Sequence, residues 1–319
     1  MRDRNLYLMV AVAVTLVILV IVNDDAYAKT ACDRACLKSY TIDALTAMVA
    51  HDPKRLPLAR DIIYTENAQH LAPGDGLWAT LENVTDKQLY LADVDTGQGG
   101  FFGVIEENGL KAILFLRVRV EQKRITEMEA VIARSGGLIF NPDGVGASFD
   151  LMREKLKPKE RASTAEMVRI TNSYFNAIEQ NDGRIAPFDK ECNRTENGTQ
   201  TTNNTTFQRP PEQGFSVLSY GCTEQLSTGF FQYLAGIRPR EILMVDEERG
   251  VVLGIFMFQH PGRMQKVTIK DVGEVDLPPF AKTPFTLLAA EMFKIKNKKI
   301  RRIEAVMVRL PYGSGTGWD

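Results

Sequence analysis

A chain of 319 residues is long enough for two domains of ordinary size. Its 44% hydrophobic and 25% charged residues are those of an ordinary globular protein. A formal net charge of −1 supplies no basic field, so nucleic acid is not expected as a partner. The one basic cluster, at 294–302, straddles the turn of an expected hairpin and reads as a solvated turn.

Behind a short charged start, residues 6–22 carry no charge, and small residues follow at Ala26 and Ala28. This is the pattern of a signal peptide over residues 1–28, cleaved before Lys29; an uncleaved N-terminal anchor is the alternative. Either way the remainder is expected to be exported, periplasmic or secreted. Four cysteines suit an oxidising compartment. Cys32 and Cys36 sit four apart near the mature N-terminus, and Cys192 and Cys222 flank a polar insertion, so pairing within each couple is favoured over the other two connectivities. A metal held by all four thiolates is the alternative, but Cys-x-x-Cys knuckles are missing, and no metal is expected.

The first half opens with apolar residues at helical spacing, Leu37, Ile42, Leu45 and Met48, stopped at Asp52-Pro53. A short turn or helix broken by Pro57 follows, then a strand at 61–67. Past a Gly-rich link, four strand-like runs at 88–95, 99–107, 111–121 and 123–134 are separated by tight turn signals. After residues 137–162, read as a linker, the order recurs. A long helix starts at Ser163, with Glu166 completing a capping box. A helical stretch at 223–237 precedes strands at 241–248, 250–258, 285–295 and 298–310. Two insertions, 198–214 and 260–284, read as surface loops.

The two halves share words as well as order. Thr65–Asn67 and Thr195–Asn197 both spell Thr-Glu-Asn. Residues 94–104 lie over 245–255, matching Gly99 with Gly250 and Gly103 with Gly254. Residues 123–134 lie over 298–309, with Glu-Ala-Val and a terminal arginine in register. Three blocks in one order argue for duplication, with a first repeat at 29–136 and a second at 163–313.

Helix, strand, helix and meander is an α+β order, expected to form two tandem cone-shaped domains, each a curved antiparallel sheet wrapped around helices. With the stretches at 32–37, 51–59, 65–80 and 311–318, the chain resembles the nuclear-transport-factor-2-like superfamily, which includes ketosteroid-isomerase-like and SnoaL-like proteins. More narrowly, it resembles a tandem-repeat exported family of uncharacterised function. The resemblance implies a pocket between sheet and helix, and fusion of two copies implies an intramolecular pseudo-dimer.

Candidate site residues cluster at one strand end of the first copy. Glu66 is the candidate proton carrier, because an acid against apolar walls holds its proton near neutral pH. Tyr64 shares its strand face, His70 is the polar partner, and Trp78 supplies a wall for an apolar ligand, with Asn67 and Asp75 beside it. The second copy offers Arg194 beside Glu196, an expected ion pair, so the functional pocket is expected in the first copy and a structural role in the second. Glu129 and Glu304 share a half-polar strand face that is solvated or packs on another sheet, with Arg134 and Arg309 as neutralising partners. Sequons at Asn83, Asn193, Asn197, Asn203 and Asn204 are glycan acceptors only in a eukaryotic secretory route.

The nucleophile elbow, phosphate loop, zinc-protease and dinucleotide signatures are missing, so no cofactor is expected. Two functions fit. One is a non-catalytic binding module for a small hydrophobic molecule; the other is a cofactor-independent isomerase, cyclase or dehydratase using Glu66, Tyr64 and His70. No membrane partner is expected beyond the possible anchor.

Overall fold

The structure, a computed structural model, describes residues 32–137, 139–206 and 216–318. The expected signal peptide, and 207–214 of the first insertion, lie outside the described residues. Among the described residues, no helix is long and apolar enough to cross a membrane.

Helix α1 (Arg34–Val49) starts at Asp33, whose side chain accepts from the Cys36 N–H at 2.9 Å. The Cys32–Cys36 disulfide clamps this same first turn. The helix buries Leu37, Thr41, Ala44, Leu45 and Met48 along one stripe. Then come β1 (Leu58–Glu66), β2 (Gln69–His70), α2 (Leu77–Thr80), β3 (Leu81–Asp93), β4 (Gln98–Glu107), β5 (Leu110–Glu121) and β6 (Arg124–Ala133). The second half repeats the plan. Past α3 (Phe149–Arg153) run α4 (Thr164–Gln180), β7 (Phe188–Glu196), β8 (Thr199–Gln200), α5 (Cys222–Leu226), β9 (Gly236–Asp246), β10 (Val251–His260), β11 (Lys266–Ile269), β12 (Gly273–Asp276), β13 (Phe285–Lys296) and β14 (Lys299–Leu310).

The result is mixed α+β, with two six-stranded sheets of matching order: β2-β1-β6-β5-β4-β3 and β8-β7-β14-β13-β10-β9. The sheets were expected to be antiparallel throughout, but β1 runs parallel to β6 and β7 parallel to β14. Side-chain alternation is the same whichever way a neighbour runs, so the sequence pattern is blind to this difference. The repeated asparagine secures the parallel pair. Asn67 and Asn197, both at positive φ, turn their side chains onto the neighbouring strand. The Asn67 amide exchanges hydrogen bonds with the Ile132 backbone, and Asn197 does so with Met307 at 2.7 and 2.9 Å.

Both faces of the central strands are buried. In the first sheet Phe101, Ile105, Leu114 and Leu116 pack under α1 and Trp78. Their alternates Phe102, Val104, Ile113 and Phe115 pack against Leu253, Ile255, Met257 and Ala290 of the second sheet. The second sheet's other face, with Phe256 and Phe293, lies under Tyr174 and Phe175 of α4. The two sheets therefore share a core. Residues 137–162 contribute to it, because Phe149 and Met152 of α3 are buried there, and Phe149 meets Phe102 edge-on at 6.0 Å.

Hairpins give the correspondence between the halves. The turn after β3 pairs Asp93 with Gln98, and the turn after β9 pairs Asp246 with Val251. Gly97 and Gly250 both have positive φ there. Gly97, rather than Gly99, is thus the counterpart of Gly250, and the expected register was two residues off. A slip of two keeps every side chain on its face, so hydrophobic pattern does not detect it. The matched glycines misled for a related reason: Phe101 reaches over Gly103 in one copy, while Phe256 reaches over Gly254 in the other, so the pair is written in reverse order.

Three further expectations change. The stretch 223–237 is not one helix: α5 stops early, and Gly229 at φ 86° starts a separate 3-10 turn, Phe230–Tyr233. A side chain at Gly229 would strike the Thr268 carbonyl. The insertion at 260–284 is more than a loop, since β11 and β12 pair as a hairpin and bury Val267, Ile269, Leu277 and Ala281 against Phe230 and Tyr233. Finally, Glu129 and Glu304 are buried and are matched by Arg117 and Arg302, at 3.1 and 2.9 Å, rather than by Arg134 and Arg309. Burial holds both carboxyls above the usual range despite those arginines.

Both disulfides, Cys32–Cys36 and Cys192–Cys222, are formed, which fits an oxidising environment and hence export. Denatured but unreduced protein should accordingly show no titratable thiol. The shared core makes a second prediction. Phe102→Ala should cost about 3–5 kcal/mol and lower the midpoint of a single urea transition common to both halves. Two separable transitions, with only the first shifted, would refute a common core.

Candidate functional site

The first-copy candidates are mostly committed to packing or to one another. The Glu66 carboxylate accepts from the Leu77 N–H at 2.6 Å and the Tyr64 hydroxyl at 3.2 Å, and pairs with Arg134 at 3.0 Å. Gly76 is required at this approach, because a Cβ there would overlap the same carboxylate. Arg134 also clamps Glu107, which accepts from Thr80 as well. Burial pushes the Glu107 carboxyl up, but the hydrogen bonds from Arg134 and Thr80 outweigh it and leave it below the usual range. Burial, with Glu66 beside it, drives the Tyr64 hydroxyl well up.

Tyr64 and Trp78 are enclosed in the α1 core. His70 and Asp75 are exposed, on the short edge strand and in the following turn. The structure thus joins Tyr64 to Glu66 but does not bring His70 or Asp75 to them. Trp78 is core rather than a wall, because α2 drives it inward, and Asn67 is taken up by its strand latch.

A cavity of about 560 Å³ lies instead in the second copy. Its walls are Ile178, Phe258, Phe285, Leu287 and Met307 from helix and sheet, Leu218, Phe230, Phe231 and Tyr233 from the stretch between the two insertions, and Phe280 from the second insertion. Arg194, Glu196, Gln225, His260, Glu291 and Arg309 also line it. These walls are aromatic and apolar with a few convergent polar groups, which is how small-molecule sites are built.

Local structure accounts for each polar group. Arg194 and Glu196 are two apart on β7 and form the expected ion pair, at 2.5 Å. The Cys192–Cys222 disulfide ties β7 to α5, so Gln225 accepts from Arg194 while donating to the Thr201 and Val217 carbonyls. Glu291 lies mid-strand in β13, on the face shared with Ala289 and Phe293. Burial pushes its carboxyl up to about 8, with Arg194 pulling down and Glu196 pushing up. His260 ends β10, stacked on Phe285 with ring centres 4.0 Å apart. Burial, helped by the Arg309 charge, lowers it to about 3, so its ring stays neutral. Among the described residues, Glu291 Oε2, Arg194 Nε and both His260 nitrogens are buried without a hydrogen-bond partner. Such groups cost about 1–3 kcal/mol each when unmet.

Sequence reasoning missed Glu291, His260 and the cavity itself. One signal was present: a lone glutamate within the otherwise apolar run 287–293.

Residues 160–307, which include most of the cavity, match the profile of a family described as "Domain of unknown function (DUF8021)". No curated protein matches the chain. Among solved structures it is similar to "Crystal Structure of Putative Isomerase from Bacillus subtilis", at 8% identity and a TM-score of 0.26, over 45% of this chain and 86% of that one. A likeness at that level bears on neither substrate nor reaction.

The raised Glu291 carboxyl makes a pH prediction. The folded form binds a proton that the unfolded form releases above its ordinary value of 4.5, so Glu291 costs stability progressively as pH rises from there to about 8. Glu291→Gln should therefore gain on the wild type across that window, at up to about 1.4 kcal/mol per pH unit. Thermal midpoints of both proteins at pH 5, 6.5 and 8 would check it, and a constant difference would contradict it.

Proposed function

We propose that the second repeat binds a small, largely apolar organic molecule in its cavity, with the neutral Glu291 carboxyl donating a hydrogen bond to an acceptor on that molecule. The observation that carries this reading is the set of unpartnered buried polar groups within aromatic walls. The first repeat has the structural part, its helix side filled by Trp78 and Tyr64. Each repeat is read as a cone of the nuclear-transport-factor-2-like kind, the two forming an intramolecular pseudo-dimer through their shared sheet face.

One observation favours a second, catalytic reading. Glu196 is ion-paired, Glu291 holds its proton, and both line one cavity. Carboxyls held in different protonation states can divide the roles of base and acid. That is the equipment of a cofactor-independent proton transfer such as an isomerisation or dehydration, placed at Glu291 rather than Glu66.

Fluorescence titration with the neutral apolar dye N-phenyl-1-naphthylamine tests the binding reading. Saturable binding at one site is expected, and Leu287→Trp, which fills the cavity, should weaken it about ten-fold or more. Undiminished binding by a folded Leu287→Trp protein would place the dye elsewhere and remove the support.

A further inference from the structure

Counting from the hairpins aligns the two copies residue by residue. Gln122–Lys123 and Asn297–Lys298 are matching two-residue turns in left-handed conformation, so Arg134 and Arg309 stand at the same distance into β6 and β14. At the other end of the central strands, Glu107 pairs with Leu110 across a two-residue turn, and His260 pairs with Phe285 across the insertion. His260 therefore occupies the place of Glu107, Glu196 that of Glu66, and Arg194 that of Tyr64.

In the first copy the arginine is fully used, since Arg134 is held by Glu66 and Glu107. In the second copy both carboxylates have gone from it. The Glu107 position is a histidine, and Glu196 is turned to Arg194. Among the described residues Arg309 forms no ion pair. It donates one hydrogen bond, to the Phe280 carbonyl at 3.0 Å, and its guanidinium lies 4.2 Å over the Phe285 ring. The remaining donors of a planar, permanently charged fork are uncommitted at the exposed rim of an apolar cavity.

We infer that the cavity takes an apolar molecule bearing a carboxylate, with Arg309 pairing that carboxylate at the rim while the apolar body lies among the aromatic walls. The inference rests on the binding reading above and adds the charge of the ligand. The missing partners of Arg309 define the chemistry: what two glutamates supply within the first copy, the ligand supplies in the second.

A matched pair of probes separates the two readings. Isothermal titration of 2-naphthoate and its primary amide, 2-naphthamide, keeps shape nearly constant and changes only the charge. The wild type is expected to bind the acid about ten-fold more tightly than the amide, less so at high salt. Arg309→Gln should abolish that preference, and Arg309→Lys should keep part of it. Thermal midpoints check that the variants fold, and the salt dependence of the wild type stands if one does not. Equal wild-type affinities for acid and amide would overturn the inference and leave the cavity reading intact. A preference that survives in Arg309→Gln would overturn it too, by placing the carboxylate elsewhere. Binding of neither probe would count against both.

Discussion

The fold depends on how the second face of each sheet is covered. A single helix covers only one side of a six-stranded sheet, and an apolar second side left in water would cost about 25 cal/mol for every Å² exposed. Each sheet solves this with the other, Phe102 and Val104 meeting Leu253 and Ile255. That solution dictates the sequence of the central strands, which are apolar at nearly every position instead of alternating. It also dictates where charge is tolerated. Glu129 and Glu304 lie on the buried side and persist there only with Arg117 and Arg302 alongside.

With one face packed on the partner sheet, the exchanges that bear on the cavity lie on the helix side. There the exchanges form a consistent set. Leu116, packed in the first core, corresponds to Glu291; Tyr64 corresponds to Arg194, and Glu107 to His260. A two-residue turn becomes an insertion with its own hairpin and its own small core. The exchange of Glu107 for His260 takes a carboxylate away from the arginine, and the insertion adds a wall farther out. The outcome is an aromatic-walled cavity on the helix side of the second copy, where Trp78 and Tyr64 pack in the first, on the same backbone plan.

Much of this was legible in the chain. The repeat was visible in Thr-Glu-Asn, and the structure explains that word: Thr65 and Thr195 are buried, and the asparagines latch the parallel strands. The cysteine couples were visible because they are local. The cavity was not legible, because it depends on which chain segments cover Phe285 and His260, and an insertion rich in proline gives no periodic sign of the hairpin it contains. The candidate residues of the first copy misled for a physical reason. A tryptophan, a histidine and acids within a short stretch look like a site, but a four-residue helix turns Trp78 inward and leaves His70 outside. Sequence proximity carries no information about which way that helix points.

The two-residue strands β2 and β8 have a further consequence. A sheet edge is a row of unpaired amides and carbonyls, open to pairing with any extended chain that meets it. Here each sheet ends on one side in a strand too short to template such pairing. On the other side, β3 is interrupted by a bulge at the charged residues Asp86 and Lys87, and β9 carries Pro239, which has no amide hydrogen to offer. A protein built from two large sheets thereby limits recruitment of further strands into a growing aggregate.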